Sequence, residues 1–504
     1  MEKKAVFWIC LVILAAFAVR TPALQYQGFI NPQGYLFYSA IQQTIGNNYS
    51  IPASSTMILS NQPYTESPLL VYFPIALWLL LGKSVGIMQL MQYVIPSLFL
   101  VLGIVVVYLL AGRLSKNGTV ALLSAFIYAL SPMSIYHLSF LEYIGDMFPP
   151  VFAGIAAYFA IAAADGMREG AKSKKIYANA ILAIVFGAVG VSFWSGGYYI
   201  LACAIAAIFL YLVYKKAGAR MAMVVGLFSI VVGFYALGLA SSSFMQPKSH
   251  SDLGFAINSF GVILPLIFAG IIAFPILERD KSRYASYFAV FGTFVITAAL
   301  YMQLFRWITL LAIPGAVFAG YGLWVLAGLF KKRRRMGYLV LGNILLASLL
   351  LTYPYAYSQF MEPLIFTTPQ TFQTLGWISN NTATNATFLA SWNSGTLIEA
   401  LSNRHVYFDA FSPDSELLAY GKFLAGNNPA YLQTLRPNYI YVRYVGARLL
   451  TDTGILNLSD YSVFKKTVLF ELLSECNAGC KIDNVSFYKV YSNIDGIIYR
   501  LNYT

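Results

Sequence analysis

Two carboxylates four residues apart, Glu142 and Asp146 in Leu-Glu-Tyr-Ile-Gly-Asp-Met, are of a type and spacing that could do chemistry. If the segment is helical, the i,i+4 spacing puts both on one face. Paired oxygen donors of this kind suit a divalent metal. Acidic groups at a membrane border are costly and tend to be functional. The alternative is a solvated loop in which Asp146 caps the next helix. Arg306, in Phe-Arg-Trp-Ile-Thr-Leu-Leu-Ala-Ile-Pro, is a second candidate. Its guanidinium suits phosphate, although an arginine there also snorkels to lipid headgroups. The segment Ser391-Trp392-Asn393-Ser394-Gly395 fits a strand-to-helix turn, in which Trp392 either binds a ligand or is buried. Gly34–Tyr38 (Gly-Tyr-Leu-Phe-Tyr) opens an amphipathic stretch that reads as an interfacial helix with an aromatic anchor. Cys476 and Cys480 are expected to close a local disulfide. A zinc site is disfavoured, because His137, His250 and His405 are scattered and there is no second cysteine pair. No P-loop, dinucleotide fingerprint, HExxH or nucleophile elbow occurs.

The elements that must position these residues are mostly membrane helices. Of 504 residues, 59% are apolar and 11% charged, far from the balance of a soluble domain. That excludes a soluble enzyme, a disordered chain and a disulfide-rich secreted scaffold. Apolar stretches long enough to span lie near 5–22, 86–112, 118–135, 147–164, 176–193, 195–214, 221–240, 255–277, 286–303, 307–330 and 338–354. Leu69–Leu81 is short and interrupted by Pro74, so it reads as interfacial or re-entrant. With eleven spans, six basic clusters fall on one side and hold 19 of the 33 Lys and Arg residues. The positive-inside rule makes that side cytoplasmic. The net charge of +13 is therefore membrane topology and not a nucleic-acid signal. Of the seven Asn-x-Ser/Thr sequons, only Asn117 falls inside. The first apolar run ends at Arg20 and reads as an uncleaved anchor, with a cleaved signal peptide as the alternative.

The expected organisation is an N-terminal anchor (1–22), a first extracytoplasmic loop with interfacial helices (23–85), a transmembrane block (86–354) and a C-terminal extracytoplasmic domain (355–504). Short β-type runs and helical patterns in the last part predict mixed α/β structure.

Together these features resemble the catalytic subunit of oligosaccharyltransferase, especially its archaeal single-subunit form. The likeness covers the whole layout. It implies a polytopic α-helical membrane protein of GT-C-like fold, with about eleven transmembrane helices here and an extracytoplasmic α/β domain. The family carries more spans than are read here. Ser391–Ala410 looks like its Trp-Trp-Asp-Tyr-Gly segment and the following strand, with Trp392 and Gly395 kept and Asn393 replacing the Asp. Tyr143–Asp146 resembles its Asp-x-Asp loop, with Asp146 as the second acid, Ile144 replacing the first and Glu142 two residues upstream. Gln33 stands where a metal-binding Asp is expected, and Phe244 in Ser241–Pro247 where a glutamate is. Arg306 and Pro314 match the lipid-phosphate segment.

The resemblance implies a bilayer-embedded enzyme of the plasma membrane with a cytoplasmic N-terminus. It would move a glycan from a polyprenyl (dolichyl) phosphate-type carrier to asparagine of an acceptor polypeptide on the outer face. Arg306 would hold lipid phosphate. Trp392, Asn393 and Gly395 would receive the acceptor. Asp146 and Glu142 would serve catalysis and bind Mg²⁺ or Mn²⁺, with Glu66 and Asp252 as further outer carboxylates. Two alternatives remain: a catalytically impaired paralogue that binds lipid-linked glycan or a partner, and a GT-C transferase using a lipid-monophosphate sugar.

Overall fold

The computed structural model describes residues 3–26, 28–52, 67–135, 138–193, 199–218, 221–229, 263–278, 280, 283–303, 308–330, 336–337, 339–340, 342–343, 346–347, 367–407, 409, 412, 414–426, 430–443, 464–476, 480–482 and 484–503. Arg306, Glu66, Asp252 and Ser241–Pro247 lie outside the described residues. The chain divides into two compact units: residues 1–25, 89–242 and 248–363, and residues 26–88, 243–247 and 364–504.

The first unit is helical. Stretches long and apolar enough to cross a membrane among the described residues are Lys4–Gln25, Ile87–Ser115, Gly145–Met167, Ser173–Ser192 and Thr309–Gly328. Shorter apolar helices in this unit are Gly118–Leu130, Ile263–Leu277 and Tyr284–Leu300. The expected span at 195–214 is the helix Tyr199–Ala217. That at 221–240 is described only to Ser229, and most of 338–354 lies outside the described residues.

Burial orders these helices. Most residues of Thr309–Gly328 are buried, whereas almost none of Ser173–Ser192 are, and its apolar side chains Ile181, Ile184 and Val185 are exposed. Lipid is as apolar as leucine, so contact between membrane helices depends on small residues and close backbone approach. Ile263–Leu277 and Ile308–Gly328 pack in this way. A Cβ on Gly270 would lie 1.9 Å from the Phe318 carbonyl oxygen, and one on Gly322 would lie 2.1 Å from that of Leu266. Aromatic stacking adds rigidity at the start of Phe148–Arg168, where Phe148 stacks on Phe193 at 4.4 Å.

The second unit is mixed α/β, built on a six-stranded sheet of order β2-β1-β3-β6-β5-β4. The strands are β1 Thr387–Ala390, β2 His405–Val406, β3 Tyr439–Arg443, β4 Cys480–Ile482, β5 Val485–Ser492 and β6 Gly496–Tyr503. β1 runs parallel to β2 and β3, and the remaining pairs are antiparallel. Leu389, Phe423, Ile440, Phe487 and Tyr499 fill one core. Cys476 and Cys480 are disulfide-bonded, with Cα atoms 5.1 Å apart.

Two helices from the N-terminal part of the chain belong to this unit: α2 (Pro32–Gly46) and α3 (Pro68–Leu80). Pro32 occupies the first turn of α2, and the Asn31 side chain accepts from the Gln33 N–H at 2.9 Å, so the start is capped. The reading of Gly34–Tyr38 as an aromatic interface anchor is corrected here. Tyr35, Leu36 and Phe37 are buried inside the unit.

Candidate functional site

Glu142 and Asp146 sit on a segment tied down by backbone bonds. After helix Gly118–Leu130 the chain turns at Ser131–Ile135, then reaches Leu141 in a left-handed conformation at φ +67°. The Leu141 N–H donates to the Gln92 carbonyl at 2.8 Å. Gln92 lies in a π-helical turn, Leu90–Val94, which leads into the long helix Ile95–Ser115. Such turns leave backbone carbonyls free for outside donors and recur at functional sites.

Neither expectation for the acids survives. Residues 142–144 are not helical, so Glu142 and Asp146 do not share a helix face. Nor is the segment solvated: Glu142 is 0% and Asp146 2% exposed. Asp146 is not a cap either. It lies in a 3-10 turn, Gly145–Met147, just before helix Phe148–Arg168, whose start is fixed by prolines. The positive end of that helix favours a negative charge at this place.

Both carboxylate oxygens of Glu142 are buried with no hydrogen-bond partner among the described residues. Burial, and secondarily the charge of Asp146, push the Glu142 carboxyl well above the usual glutamate range. A buried carboxylate with two unused oxygens beside a second acid fits a hard divalent cation, which takes oxygen ligands and offsets their repulsion. An apolar crevice in the same unit is lined by Leu110, Pro150, Gly154, Thr293, Leu310 and Pro314.

In the second unit, Trp392, Asn393 and Gly395 lie on one short helix, Trp392–Leu397, directly after β1. Trp392 is half-buried and packs against the core, so packing accounts for part of its role. Ser391 and Ser394 join through their hydroxyls at 2.9 Å, and the Gly395 N–H reaches the Ser391 carbonyl at 2.7 Å. The Asn393 Oδ1 is buried without a hydrogen-bond partner among the described residues. A second π-helical turn, Ile398–Ser402, follows. Its Glu399 accepts from Ser39 Oγ at 2.9 Å and Gln43 Nε2 at 3.0 Å, both on α2. Thus α2 and the Trp392 helix are fixed to each other by one buried carboxylate.

The structure brings Glu142 and Asp146 together, and separately Trp392, Asn393 and Gly395. Sequence reading missed Gln92, Ser39 and Glu399. The lone acid at Glu399, inside an apolar helical pattern, was the available signal for one of them.

No protein-family model and no curated protein matches the sequence. Solved structures do match. The archaeal oligosaccharyltransferase AglB from Archaeoglobus fulgidus, in complex with an inhibitory peptide and a dolichol-phosphate, is similar at TM-score 0.72 and 15% identity, over 98% of this chain and 80% of that one. The Archaeoglobus fulgidus oligosaccharyltransferase in complex with zinc and sulfate gives TM-score 0.72 and 15% identity, over 96% of this chain and 79% of that one. ArnT from Cupriavidus metallidurans bound to undecaprenyl phosphate gives TM-score 0.58 and 12% identity, over 98% and 97%. The fold is therefore that of the GT-C membrane glycosyltransferases, with a small C-terminal sheet domain.

Proposed function

We propose that this protein is a membrane glycosyltransferase that moves a glycan from a polyprenyl-phosphate-type lipid carrier to asparagine of an acceptor polypeptide on the outer face. The observation that carries this reading is the buried acid pair Glu142 and Asp146, held on a pinned turn within a GT-C fold. Asp146 and Glu142 would hold Mg²⁺ or Mn²⁺. When bound, such an ion neutralises phosphate charge on the departing carrier. Arg306 is assigned to the lipid phosphate, because a guanidinium grips phosphate oxygens in pairs. Trp392, Asn393 and Gly395 receive the acceptor. In the transfer, a bond forms between the acceptor amide nitrogen and the sugar C1, the C1–O bond to carrier phosphate breaks, and the proton lost by the amide is taken up by the departing carrier phosphate.

Two features support other readings. Gln33 and Asn393 are neutral where the resemblance expects acids, which favours an impaired paralogue that only binds lipid-linked glycan. The likeness to ArnT spans nearly all of both chains, which favours a lipid-monophosphate sugar donor. Incubating the full chain with polyprenyl-linked donors of both kinds and an Asn-x-Thr peptide separates them. A glycopeptide supports the proposal, a product carrying a single sugar from a monophosphate donor supports the transferase alternative, and donor binding without product supports the paralogue.

A further inference from the structure

Arg20 was noted in the sequence only as the end of the first apolar run. In the structure it is 2% exposed. Its Nη1 donates to the carbonyls of Ala16 at 2.9 Å and Ala129 at 2.8 Å. Its Nε donates to the Leu138 carbonyl at 2.7 Å, and its Nη2 to Ser134 Oγ at 2.9 Å. Ala16 and Ala129 lie in the last turns of α1 (Lys3–Ala18) and of helix Gly118–Leu130. Carbonyls there have no intrahelical donor and carry the negative end of the helix dipole, so one guanidinium closes two helix ends. Ser134 and Leu138 belong to the segment that leads to Glu142. The Ser134 hydroxyl lies against the carbonyls of Ser131 and Tyr128. Three residues past Leu138, the Leu141 N–H is bound by Gln92. The stretch before the acids is therefore held at both ends, by Arg20 on one side and by the π-helical turn on the other.

We infer that Arg20 is a positioning residue: it clamps α1 and helix Gly118–Leu130 to the segment that presents Glu142 and Asp146, and so sets where those acids stand. The catalytic consequence rests on reading the acids as working groups, whereas the clamp itself does not. A planar fork with donors in several directions is needed to reach four acceptors on three segments, which lysine cannot do. The inference also makes α1 part of the site's scaffold.

The test uses the full chain and three variants, Arg20→Lys, Arg20→Gln and Ser134→Ala. The last removes the Ser134 contact of the clamp and leaves the Arg20–Leu138 bond in place. Amide exchange is followed at Ser134, Ile135 and Leu141, whose N–H groups are all bonded, alongside kcat and KM for transfer. Exchange at these amides should rise about tenfold or more in Ser134→Ala, which loses the bond from Arg20 and the hydroxyl's bond to a backbone carbonyl, and further in Arg20→Gln, with Arg20→Lys in between. Where transfer is measurable, kcat should fall in the same order with little change in acceptor KM. Unchanged exchange in all three variants would overturn the clamp. So would a uniform rise through every helix of the unit, which marks a general loss of stability. Raised local exchange in a protein that shows no transfer supports the clamp while removing the functional reading of the acids.

Discussion

Replacing Gly270 by alanine tests the packing that holds helix Ile308–Gly328, and its size can be worked from distances. The new Cβ would stand 1.9 Å from the Phe318 oxygen, 2.8 Å from its carbonyl carbon and 3.1 Å from the Gly322 nitrogen. All three are backbone atoms, so no rotamer change relieves the clash. Restoring ordinary contact requires helices Ile263–Leu277 and Ile308–Gly328 to part by roughly 1.5 Å, which forfeits dispersion along the crossing. Overpacking of this kind costs about 1–3 kcal/mol. Gly322→Ala meets the Leu266 oxygen at 2.1 Å and the Gly270 nitrogen at 2.9 Å, so the two sites share one gap. The double variant should therefore lose less than the sum, because helices already separated by one methyl admit the other. Gly328→Ala is the control: a Cβ there meets nothing within 4 Å. It should be neutral or slightly stabilising. The assay is denaturant unfolding of the detergent-solubilised full chain. Gly270→Ala and Gly322→Ala both within about 0.5 kcal/mol of the parent would refute the close approach, since a clash with backbone cannot be that cheap.

Two further outcomes follow from buried charge. Because the Glu142 carboxyl is raised by burial and by Asp146, its stabilising contribution is full below the ordinary glutamate range and is lost as pH rises towards its folded value. Metal-free Glu142→Gln should therefore gain stability over the parent between pH ~4 and pH ~7, measured by thermal melts at both, and a gap that is constant with pH would contradict the burial of this carboxyl. Asp495→Asn removes the negative charge 2.7 Å from the buried Arg443 guanidinium and replaces the oxygen that accepts from the Tyr441 hydroxyl with an NH2 donor, while Oδ1 can still accept from Thr371. Removing the negative half of this buried pair should cost about 3–5 kcal/mol in thermal unfolding, whereas a loss below about 1 kcal/mol would mean the pair is solvated.

The legible parts of the molecule were those written locally. Apolar runs marked the helices, the amphipathic stretch opening at Gly34–Tyr38 marked α2, short β-type runs marked mixed α/β structure in the last part, and two cysteines four residues apart marked a local bridge. What stayed hidden depends on contacts between distant residues. Glu142 was read as helical or solvated because its burial comes from a left-handed Leu141 bonded to Gln92, 49 positions earlier. The aromatic residues of α2 looked like an interface anchor because nothing near them announces Glu399, 360 positions after Ser39. Arg20 looked like the end of an apolar run because its four acceptors lie on three separate segments. Trp392 was legible both as a turn residue and as a candidate for burial, and it packs against the C-terminal core.

The central claim is that Glu142 and Asp146 make this chain a metal-dependent glycan transferase. The direct measurement is mass spectrometry of an Asn-x-Thr peptide after incubation with the full chain, a polyprenyl-linked glycan and Mn²⁺ or Mg²⁺, with chelator and Asp146→Ala as controls. The account predicts a glycopeptide that appears only with metal and disappears in Asp146→Ala, while donor binding persists. Glycopeptide formed equally by Asp146→Ala or in chelator would contradict the role given to the acids, and donor binding with no product under any condition would contradict catalysis itself.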